Sequence, residues 1–248
     1  MSTNKFDYYR IKDECRKGFL KYLARAVSFI AETNIYSILD IGCGTGVPSI
    51  WLAKHFNADI TALDNDVEAI MWLEEKAGEE DLSDRINLST GSFIDYDPGE
   101  KRFDLLVAEG FLNAVAFETG FLKVIRLIKA GGYFIIHDDL SDNEMKTEFF
   151  RTNGFALIHS FVMDEKAWWN DYYNCLEIAG SDPKNISLHA FFENDRKEIE
   201  NYRLNPAIFR SAYYVLQKSV LSVHKTNRDN HSIVSNDTVM GIIKKYEA

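Results

Sequence analysis

Residues 38–46 read Ile-Leu-Asp-Ile-Gly-Cys-Gly-Thr-Gly, and this stretch decides the fold of the chain. An apolar run of strand type ends in glycines at alternate positions, and the helical pattern of residues 47–56 follows at once. Glycines at these positions let the backbone turn tightly and let a ligand lie against it. A dinucleotide fingerprint needs the spacing GxGxxG. Because position 47 is Val47, the observed GxGxG disfavours a pyrophosphate ligand.

Outward from this turn, strand and helix patterns alternate. Strands are predicted at 37–41, 59–63, 85–90, 103–108, 133–136, 155–162 and 211–216. Helices are predicted at 11–31, 47–56, after the capping residue Asp66, at 121–128 and at 141–152. Gly131 and Gly132 are expected to end one helix and release the strand at 133–136. The alternation predicts an α/β fold with a doubly wound, mostly parallel sheet.

An acidic residue stands at the end of the second predicted strand. Asp64 follows Gly42 by about twenty residues, a spacing at which a carboxylate can accept hydrogen bonds from both hydroxyls of a ribose. The glycine turn and Asp64 therefore agree in predicting a ligand that contains a ribose.

Together with three further motifs, this pattern resembles the class I S-adenosylmethionine-dependent methyltransferases over residues 36–162 and the strand near 211–216. The family's first motif is similar to residues 40–46, its acidic ribose-binding residue to Asp64, and its adenine-flanking pair to Ser92-Phe93. Its fourth-strand motif falls at 103–110. The turn Leu-Ile-Lys-Ala-Gly-Gly at 127–132 is similar to the family's LLKPGG, with Ala130 where proline is usual.

The resemblance implies a seven-stranded, Rossmann-like sheet with an antiparallel last strand. It also implies methyl transfer from S-adenosyl-L-methionine, with S-adenosyl-L-homocysteine as product, to an oxygen or nitrogen nucleophile of a small molecule. We expect a single methyltransferase domain over 1–248. Its parts are an N-terminal helical lid at 1–34, a cofactor-binding core at 35–162, a helical cap insertion at 163–210, and the last strand with a C-terminal tail at 211–248.

The resemblance further implies roles for single residues. Asp40 would engage the methionyl ammonium, Phe93 would cover the adenine, and Glu109 would face the methionyl group or the acceptor. The predicted cofactor-binding residues are Asp40, Gly42, Cys43, Gly44, Gly46, Asp64, Asn65, Ser92, Phe93 and Glu109. Each also has a simpler interpretation: Asp40 can cap the turn, Phe93 can belong to the core, and Glu109 can be a solvated loop acid.

The residues that follow strands four and five are candidates for acid–base catalysis. The sulfonium donor carries its own activation, so the enzyme must mainly align the nucleophile and exclude water. A base helps only when the acceptor arrives protonated, and ligands of open α/β sheets bind at the carboxyl ends of the strands. His137 and Glu109 are therefore the predicted catalytic residues. The alternative is that His137 only hydrogen-bonds the backbone at the end of its strand.

The cap insertion is rich in aromatic side chains. The predicted substrate-binding residues are Trp168, Trp169, Tyr172 and Tyr173, joined by Tyr9 from the N-terminus. Their rings can form the roof of an acceptor pocket and hold a cationic amine by cation–π attraction. Packing of the cap on the sheet explains the same residues.

The net charge and the number of cysteines limit which partners and which cellular compartment we expect. The formal net charge is −10, which disfavours a nucleic-acid partner because a phosphate backbone attracts cationic surfaces. Three widely spaced cysteines without a CxxC pair indicate a reducing compartment with no disulfide framework. Neither a signal peptide nor a membrane span is evident, so we expect a cytoplasmic protein with no membrane partner. No metal is implied, although the pair Asp138-Asp139 could bind Mg²⁺.

Three other functions stay open from the sequence. A nucleic-acid or protein methyltransferase is the nearest, but Ala-Glu-Gly-Phe stands at 108–111 in place of an Asn/Asp-Pro-Pro-Tyr motif. A binding module that keeps the cofactor pocket without catalysis is the second. An NAD-dependent oxidoreductase is the third, and Val47 disfavours it.

Overall fold

The computed structural model describes residues 3–31, 34–111 and 115–220, with side chains from residue 5 onward. The strands are β1 (Ser37–Ile41), β2 (Asp59–Asp64), β3 (Ile86–Thr90), β4 (Phe103–Glu109), β5 (Ile128–Asp139), β6 (Phe155–Val162) and β7 (Ser211–Lys218). The helices are α1 (Thr3–Arg16), α2 (Leu20–Val27), α3 (Val47–His55), α4 (Val67–Glu79), α5 (Phe117–Leu127), α6 (Asn143–Thr152), α7 (Asn174–Ser181) and α8 (Glu193–Leu204).

All seven strands form one sheet in the order β3-β2-β1-β4-β5-β7-β6. The strands β1 to β5 pair in parallel, and β7 lies antiparallel between β5 and β6. This confirms the prediction of a doubly wound, mostly parallel sheet with an antiparallel last strand. The strand order reverses between β1 and β4, and ligands of such sheets bind outside the carboxyl ends of the strands at that reversal.

The centre of the sheet is buried on both faces. Residues Ile38 to Ile41 of β1 and Leu105 to Ala108 of β4 are all shielded from solvent, as near-continuous apolar runs in parallel sheets require. One apolar core lies between the sheet and α1 to α4 with the cap, and the other lies between the sheet and α5 with α6. The two layers of helices hold the loops at the carboxyl edge of the sheet.

Two predicted elements differ most from the structure. The helix expected at 11–31 is divided into α1 and α2 by a short 3-10 turn, and α1 begins at Thr3. The strand expected at 133–136 begins at Ile128, because Ile128 pairs with Phe103 before a register shift brings Tyr133 opposite Leu105. Gly131 lies in this irregular segment with φ +76°. Strand pairing therefore overrides the helical pattern at 128.

The segment between β6 and β7 carries α7 and α8 together with a π-helical turn at Trp169–Tyr173 and 3-10 turns at Pro183–Leu188 and Pro206–Phe209. The division into lid, core, cap and tail stays a prediction, and residues 221–248 of the predicted tail lie outside the described residues. Within the described ranges, no helix is both long and apolar enough to cross a membrane.

A disulfide joins Cys15 of α1 to Cys175 of α7. The prediction that no cysteines pair is therefore wrong. The two cysteines are 160 residues apart in sequence, yet their Cα atoms are 5.4 Å apart. Sequence spacing cannot reveal this pair, because only the packing of α1 against the cap brings the two thiols together. Cys43 is free and buried.

Candidate active site

The glycine turn after β1 is anchored to β2 by its backbone. The amides of Gly42 and Cys43 both donate to the carbonyl of Leu63, at 2.8 and 3.1 Å. Gly42, Gly44 and Gly46 have φ of +67°, +53° and +78°, a region that side chains disfavour. The turn therefore needs glycine at all three alternate positions.

The space around the three glycines differs. A Cβ on Gly42 would lie 2.5 Å from the ring of Phe111, and a Cβ on Gly46 would lie 2.3 Å from Leu73 of α4. A Cβ on Gly44 would meet no described atom within 4 Å. Gly46 is thus required by the packing of α3 against α4. At Gly42 and Gly44 no side chain projects from the turn, so a ligand can approach the backbone closely.

Asp64 braces the same turn from the end of β2. Its Oδ2 accepts from the Gly44 amide at 2.7 Å, and its Oδ1 accepts from the Asp66 amide at 2.9 Å. Asp66 in turn caps α4, as predicted, by accepting from the amides of Glu68 and Ala69. Each carboxylate oxygen of Asp64 retains a lone pair for a further donor such as a hydroxyl.

A cavity of about 300 Å³ opens above the turn, and we call it the glycine-loop cavity. Its lining residues are Gly42, Leu63, Asp64, Asn65, Gly91, Ser92, Phe93, Glu109, Gly110, Phe111 and Val115. Six of the ten predicted cofactor-binding residues are among them: Gly42, Asp64, Asn65, Ser92, Phe93 and Glu109. The ring of Phe93 is buried and meets that of Phe111 edge-on, with centroids 5.5 Å apart. The cavity therefore combines an aromatic wall with two carboxylates.

Asp40 lies in the interior next to this turn, 1% exposed. Ser49 Oγ donates to its Oδ2 at 2.5 Å. Burial, followed by the negative charges of Glu109 and Asp64, raises the pKa of Asp40 to about 7. Three carboxylates thus lie near one region, and a cationic ligand there would stabilise the ionised form of Asp40.

Glu109, at the end of β4, is held by two partners. The hydroxyl of Tyr213 donates to its Oε1 at 2.5 Å, and Arg16 donates to its Oε2 at 3.4 Å. The guanidinium of Arg16 also lies 4.8 Å from the centre of the Phe19 ring and 5.8 Å from that of Tyr172. Arg16 and Tyr213 were absent from the predicted site residues, since nothing in their local sequence pattern marks them.

His137, at the end of β5, is 2% exposed. Its Nε2 lies 2.9 Å from Ser211 Oγ, and its ring stacks on Tyr213 with centroids 4.7 Å apart. Burial, with the positive charge of Arg16, lowers the pKa of His137 to about 3. The general-base role of His137 stays a prediction, and this environment disfavours it, because an imidazole with so low a pKa is a weak base.

A second cavity, of about 720 Å³, adjoins the first, and we call it the histidine cavity. Its lining residues are Gly110, His137, Asp138, Asp139, Leu140, Ser141, Trp168, Glu198, Ala207, Ile208, Phe209, Arg210 and Ser211. Gly110 lines both cavities, so both lie against the residue that follows β4. The segment 207–211 was absent from the predicted site.

The aromatic residues predicted to bind the substrate lie in different places. Trp168 lines the histidine cavity. Trp169 instead stacks on Tyr202 of α8, with centroids 6.3 Å apart, and the guanidinium of Arg203 lies 4.8 Å from its ring. The hydroxyl of Tyr173 donates to Glu198 at 2.8 Å, and Tyr173 is fully buried.

The remaining two aromatic residues also lie outside the two cavity linings. Tyr172 packs on Phe19 with centroids 5.8 Å apart. The hydroxyl of Tyr9 donates to Asp66 at 3.4 Å, which places it near the start of α4. Packing therefore explains Trp169 and Tyr173, and Trp168 is the member of the predicted set that reaches the histidine cavity.

Helix α1 connects the glycine turn to the cap. Asp13 accepts from Trp72 Nε1 at 2.8 Å and from Lys76 at 2.6 Å, and Thr45 of the turn donates to it. One residue earlier, Lys12 forms an ion pair with the buried Asp195 of α8 at 2.8 Å. Helix α1, which also carries Arg16, thus links the glycine turn to the cap through these contacts.

The carboxylates of Asp138 and Asp139 are bridged by an ammonium group. Lys146 Nζ lies 2.8 Å from Asp138 Oδ2 and 3.2 Å from Asp139 Oδ1. Among the residues described, no cluster of three or more histidine, cysteine, aspartate or glutamate side chains could hold a metal ion. The ammonium group of Lys146 thus occupies the position that a Mg²⁺ ion bound by Asp138 and Asp139 would take.

The strand order, the glycine turn after β1 and the acidic residue after β2 define the class of S-adenosylmethionine-dependent methyltransferases of class I. The chain belongs to the methyltransferase-domain family, whose match spans residues 32–180. The predicted family, the class I S-adenosylmethionine-dependent methyltransferases, is thereby confirmed.

A curated protein with a similar sequence is also a methyltransferase. A sterol 24-C-methyltransferase of Gibberella zeae is 30% identical over 144 residues, which cover 56% of this chain and 38% of that protein. The chain thus spans well under half the length of this curated relative.

Solved structures share the fold at low sequence identity. The [4+2]-cyclase SpnF has a TM-score of 0.68 at 16% identity, covering 81% of this chain and 82% of its own. A methyltransferase of Geobacter sulfurreducens in complex with S-adenosyl-L-homocysteine has a TM-score of 0.59 at 16% identity, covering 80% of this chain and 90% of its own.

Proposed function

We propose that the protein transfers the methyl group of S-adenosyl-L-methionine to a small-molecule acceptor bound in the histidine cavity. The observation that carries this proposal is that Gly110 lines both cavities. A donor above the glycine turn and an acceptor beside His137 would meet there. In-line displacement needs this kind of alignment more than it needs a fixed catalytic triad.

The residues of the glycine-loop cavity fit the cofactor. Asp64 would hold the ribose hydroxyls, and Phe93 would flank the adenine. Because Gly42 and Gly44 have no side chains, the cofactor could lie close to the backbone of the turn. The ring of Phe111 packs over Gly42, so it is the side chain that would have to adjust. When bound, the cofactor supplies a methyl group that its sulfonium has already activated.

The charges of the site fit a cationic cofactor. Asp40 and Asp64 supply negative charge around the turn, and Glu109 supplies more in the lining of the glycine-loop cavity. Arg16 offsets part of the charge of Glu109 and keeps that carboxylate in place. We infer that Glu109 stabilises the positive charge of the cofactor and does not transfer a proton, because its two oxygens already accept hydrogen bonds from Arg16 and Tyr213.

The histidine cavity would align the acceptor and exclude water. Trp168 and Phe209 supply aromatic surface, with centroids 6.3 Å apart, while His137 and Ser211 supply polar contacts. Enclosure in this way raises the effective concentration of the nucleophile and removes competing water.

Titration calorimetry with S-adenosyl-L-methionine and S-adenosyl-L-homocysteine tests the cofactor assignment. Asp64→Ala should weaken both affinities severely, because it removes the hydroxyl acceptor and the brace of the turn. Asp59→Ala, at the opposite end of β2, is the matched control and should bind as the wild type does. Folded protein that binds neither compound would contradict the proposal.

Labelled methyl donor tests the class of acceptor. Transfer into a pool of small metabolites, and none into RNA, DNA or protein pools, is the expected result. A second function has a specific observation behind it, since the structure of a [4+2]-cyclase shares this fold. Cofactor binding without methyl transfer to any pool would favour that kind of function or a binding module.

The cytoplasmic location expected from the sequence stays a prediction. The Cys15–Cys175 disulfide is more typical of an oxidising compartment. Cell fractionation with thiol trapping before lysis would measure both the location and the state of this pair.

A further inference from the structure

His137 presents one ring nitrogen that the described residues do not use. The side chain is buried and lines the histidine cavity, and Nδ1 has no hydrogen-bond partner in the described ranges. Buried polar atoms are nearly always paired, so an unpaired one needs an explanation. Because His137 lines the histidine cavity, a ligand held against this residue supplies that explanation by completing the hydrogen bond.

The orientation of the imidazole is held by its neighbours. The ring lies nearly parallel to that of Tyr213, with an angle of 5° between the planes. Trp168 stacks against it as well, with centroids 5.8 Å apart. Because Nε2 is also tied to Ser211 at 2.9 Å, Nδ1 cannot turn away from its present direction without breaking these contacts.

Ser211 determines which ring nitrogen carries the proton. Trp168 Nε1 donates to Ser211 Oγ at 3.2 Å, and an indole nitrogen can only donate. The single hydroxyl proton of Ser211 then has two possible acceptors, His137 Nε2 at 2.9 Å and Met163 Sδ at 3.5 Å. An imidazole nitrogen is a far better acceptor than a thioether sulfur, so the hydroxyl donates to Nε2.

The proton of the neutral ring must then sit on Nδ1. The ring is neutral because burial and the charge of Arg16 keep the pKa of His137 far below neutrality. A neutral imidazole carries one proton, and Nε2 is already an acceptor. The buried, unpartnered nitrogen of this cavity-lining residue is therefore an N–H donor.

We propose that His137 donates its Nδ1–H to an anionic oxygen of the acceptor, such as a carboxylate, phenolate or enolate, and that Ser211 positions this proton. This assignment rests on the proposed function, because it names the chemical class of the acceptor in the same site. A donor that also feels the positive charge of Arg16 favours an anionic oxygen over a neutral one or a cation. Among the charged residues that line the cavity, Asp138 and Asp139 are offset by Lys146. Glu198 accepts a hydrogen bond from Tyr173, and Arg210 adds a positive charge.

The tautomer can be measured without knowing the acceptor. Long-range ¹⁵N–¹H correlation spectra of histidine-labelled protein distinguish the two neutral forms, and His137 is identified by the signal that His137→Gln removes. We expect the Nδ1–H form in the wild type and its partial or complete loss in Ser211→Ala. Ser211→Thr keeps a hydroxyl and should restore it. An Nε2–H form in the wild type, or no response to Ser211→Ala, would overturn the proposal.

Benzoate and benzylamine are the probes for the acceptor class, because they share a ring and differ in charge. Millimolar benzoate should shift the His137 signals, and benzylamine should not. The amide of asparagine reaches about as far as Nδ1 and that of glutamine about as far as Nε2. His137→Asn should therefore keep benzoate binding, and His137→Gln should weaken it by about tenfold, the loss expected for a charge-assisted hydrogen bond.

Equal shifts with both probes, or none with benzoate, would overturn the anionic assignment. Cofactor titration on the same samples separates the two proposals. Failure to bind S-adenosyl-L-methionine would refute the proposed function, whereas intact cofactor binding with an Nε2–H tautomer would refute this inference alone.

Discussion

Ser49 donates a hydrogen bond of 2.5 Å to Asp40 Oδ2 in an interior where the aspartate is 1% exposed. The hydroxyl favours the ionised carboxylate, but burial and the charges of Glu109 and Asp64 oppose it more strongly, so the pKa of Asp40 is raised to about 7. Asp40 therefore changes its charge near neutral pH in the protein without ligand.

This titration predicts that cofactor affinity rises with pH. A cationic cofactor stabilises the ionised form of Asp40, so the carboxyl must release its proton on binding, and protonation below a pKa of about 7 weakens binding. Affinity should rise about tenfold between about pH 6 and about pH 8, following the ionised fraction of Asp40. Calorimetry in buffers of different ionisation enthalpy would measure the proton released.

Asp40→Asn is the control for this effect. The ratio of wild-type to variant affinity removes the titration of the cofactor's own amine from the comparison. A ratio that does not change with pH would show that Asp40 is not the titrating group.

The disulfide between Cys15 and Cys175 predicts a stability that depends on reductant. It closes a long loop and ties α1 to α7, so reduction should lower the free energy of unfolding by about 3 kcal/mol. Denaturant titrations with and without dithiothreitol would measure the difference. Cys15→Ser should show the lower stability in both conditions. Detection of three free thiols in unreduced, unfolded protein would contradict the pairing.

The two tryptophans of the cap predict different effects on function. Trp168→Ala should raise the acceptor KM, because Trp168 lines the histidine cavity and donates to Ser211. Trp169→Ala should leave that KM unchanged and lower the free energy of unfolding by about 2 kcal/mol, because its ring packs on Tyr202. Cofactor affinity, measured for both variants, should stay near the wild-type value. Equal KM effects would mean that both rings contact the acceptor.

Alanine substitutions at two glycines of the turn should lower the stability of the protein by different amounts, because only one of them adds a steric contact to the backbone strain. Gly46→Ala should lower the free energy of unfolding by about 3 kcal/mol, because the new Cβ would meet Leu73 in addition to the cost of a positive φ. Gly44→Ala should cost about 1 kcal/mol, since only the backbone conformation is unfavourable. Thermal unfolding of both variants tests this order, and equal losses would be evidence against the Leu73 contact.

Local patterns were sufficient for much of the fold. The strands at β1 and β6 have the predicted bounds, and Asp66 caps α4 as expected, because apolar runs, glycines and capping residues act over a few positions. The start of β5 at Ile128 was not predictable in this way, since pairing with Phe103 overrides a helical pattern. The same limit applies to the disulfide, which depends on a contact 160 residues away in sequence.

The sequence by itself determined the class of sheet, the glycine turn and the acidic residue after β2, because those features are encoded by short-range spacing. Only the tertiary structure decided which aromatic ring faces a cavity, that Arg16 and Tyr213 hold Glu109, and that Ser211 pairs with His137. These partners come from distant elements, and their burial and charges act through space. The chemistry of the proposed acceptor site therefore depends on the packing between α1, the cap and the last strand.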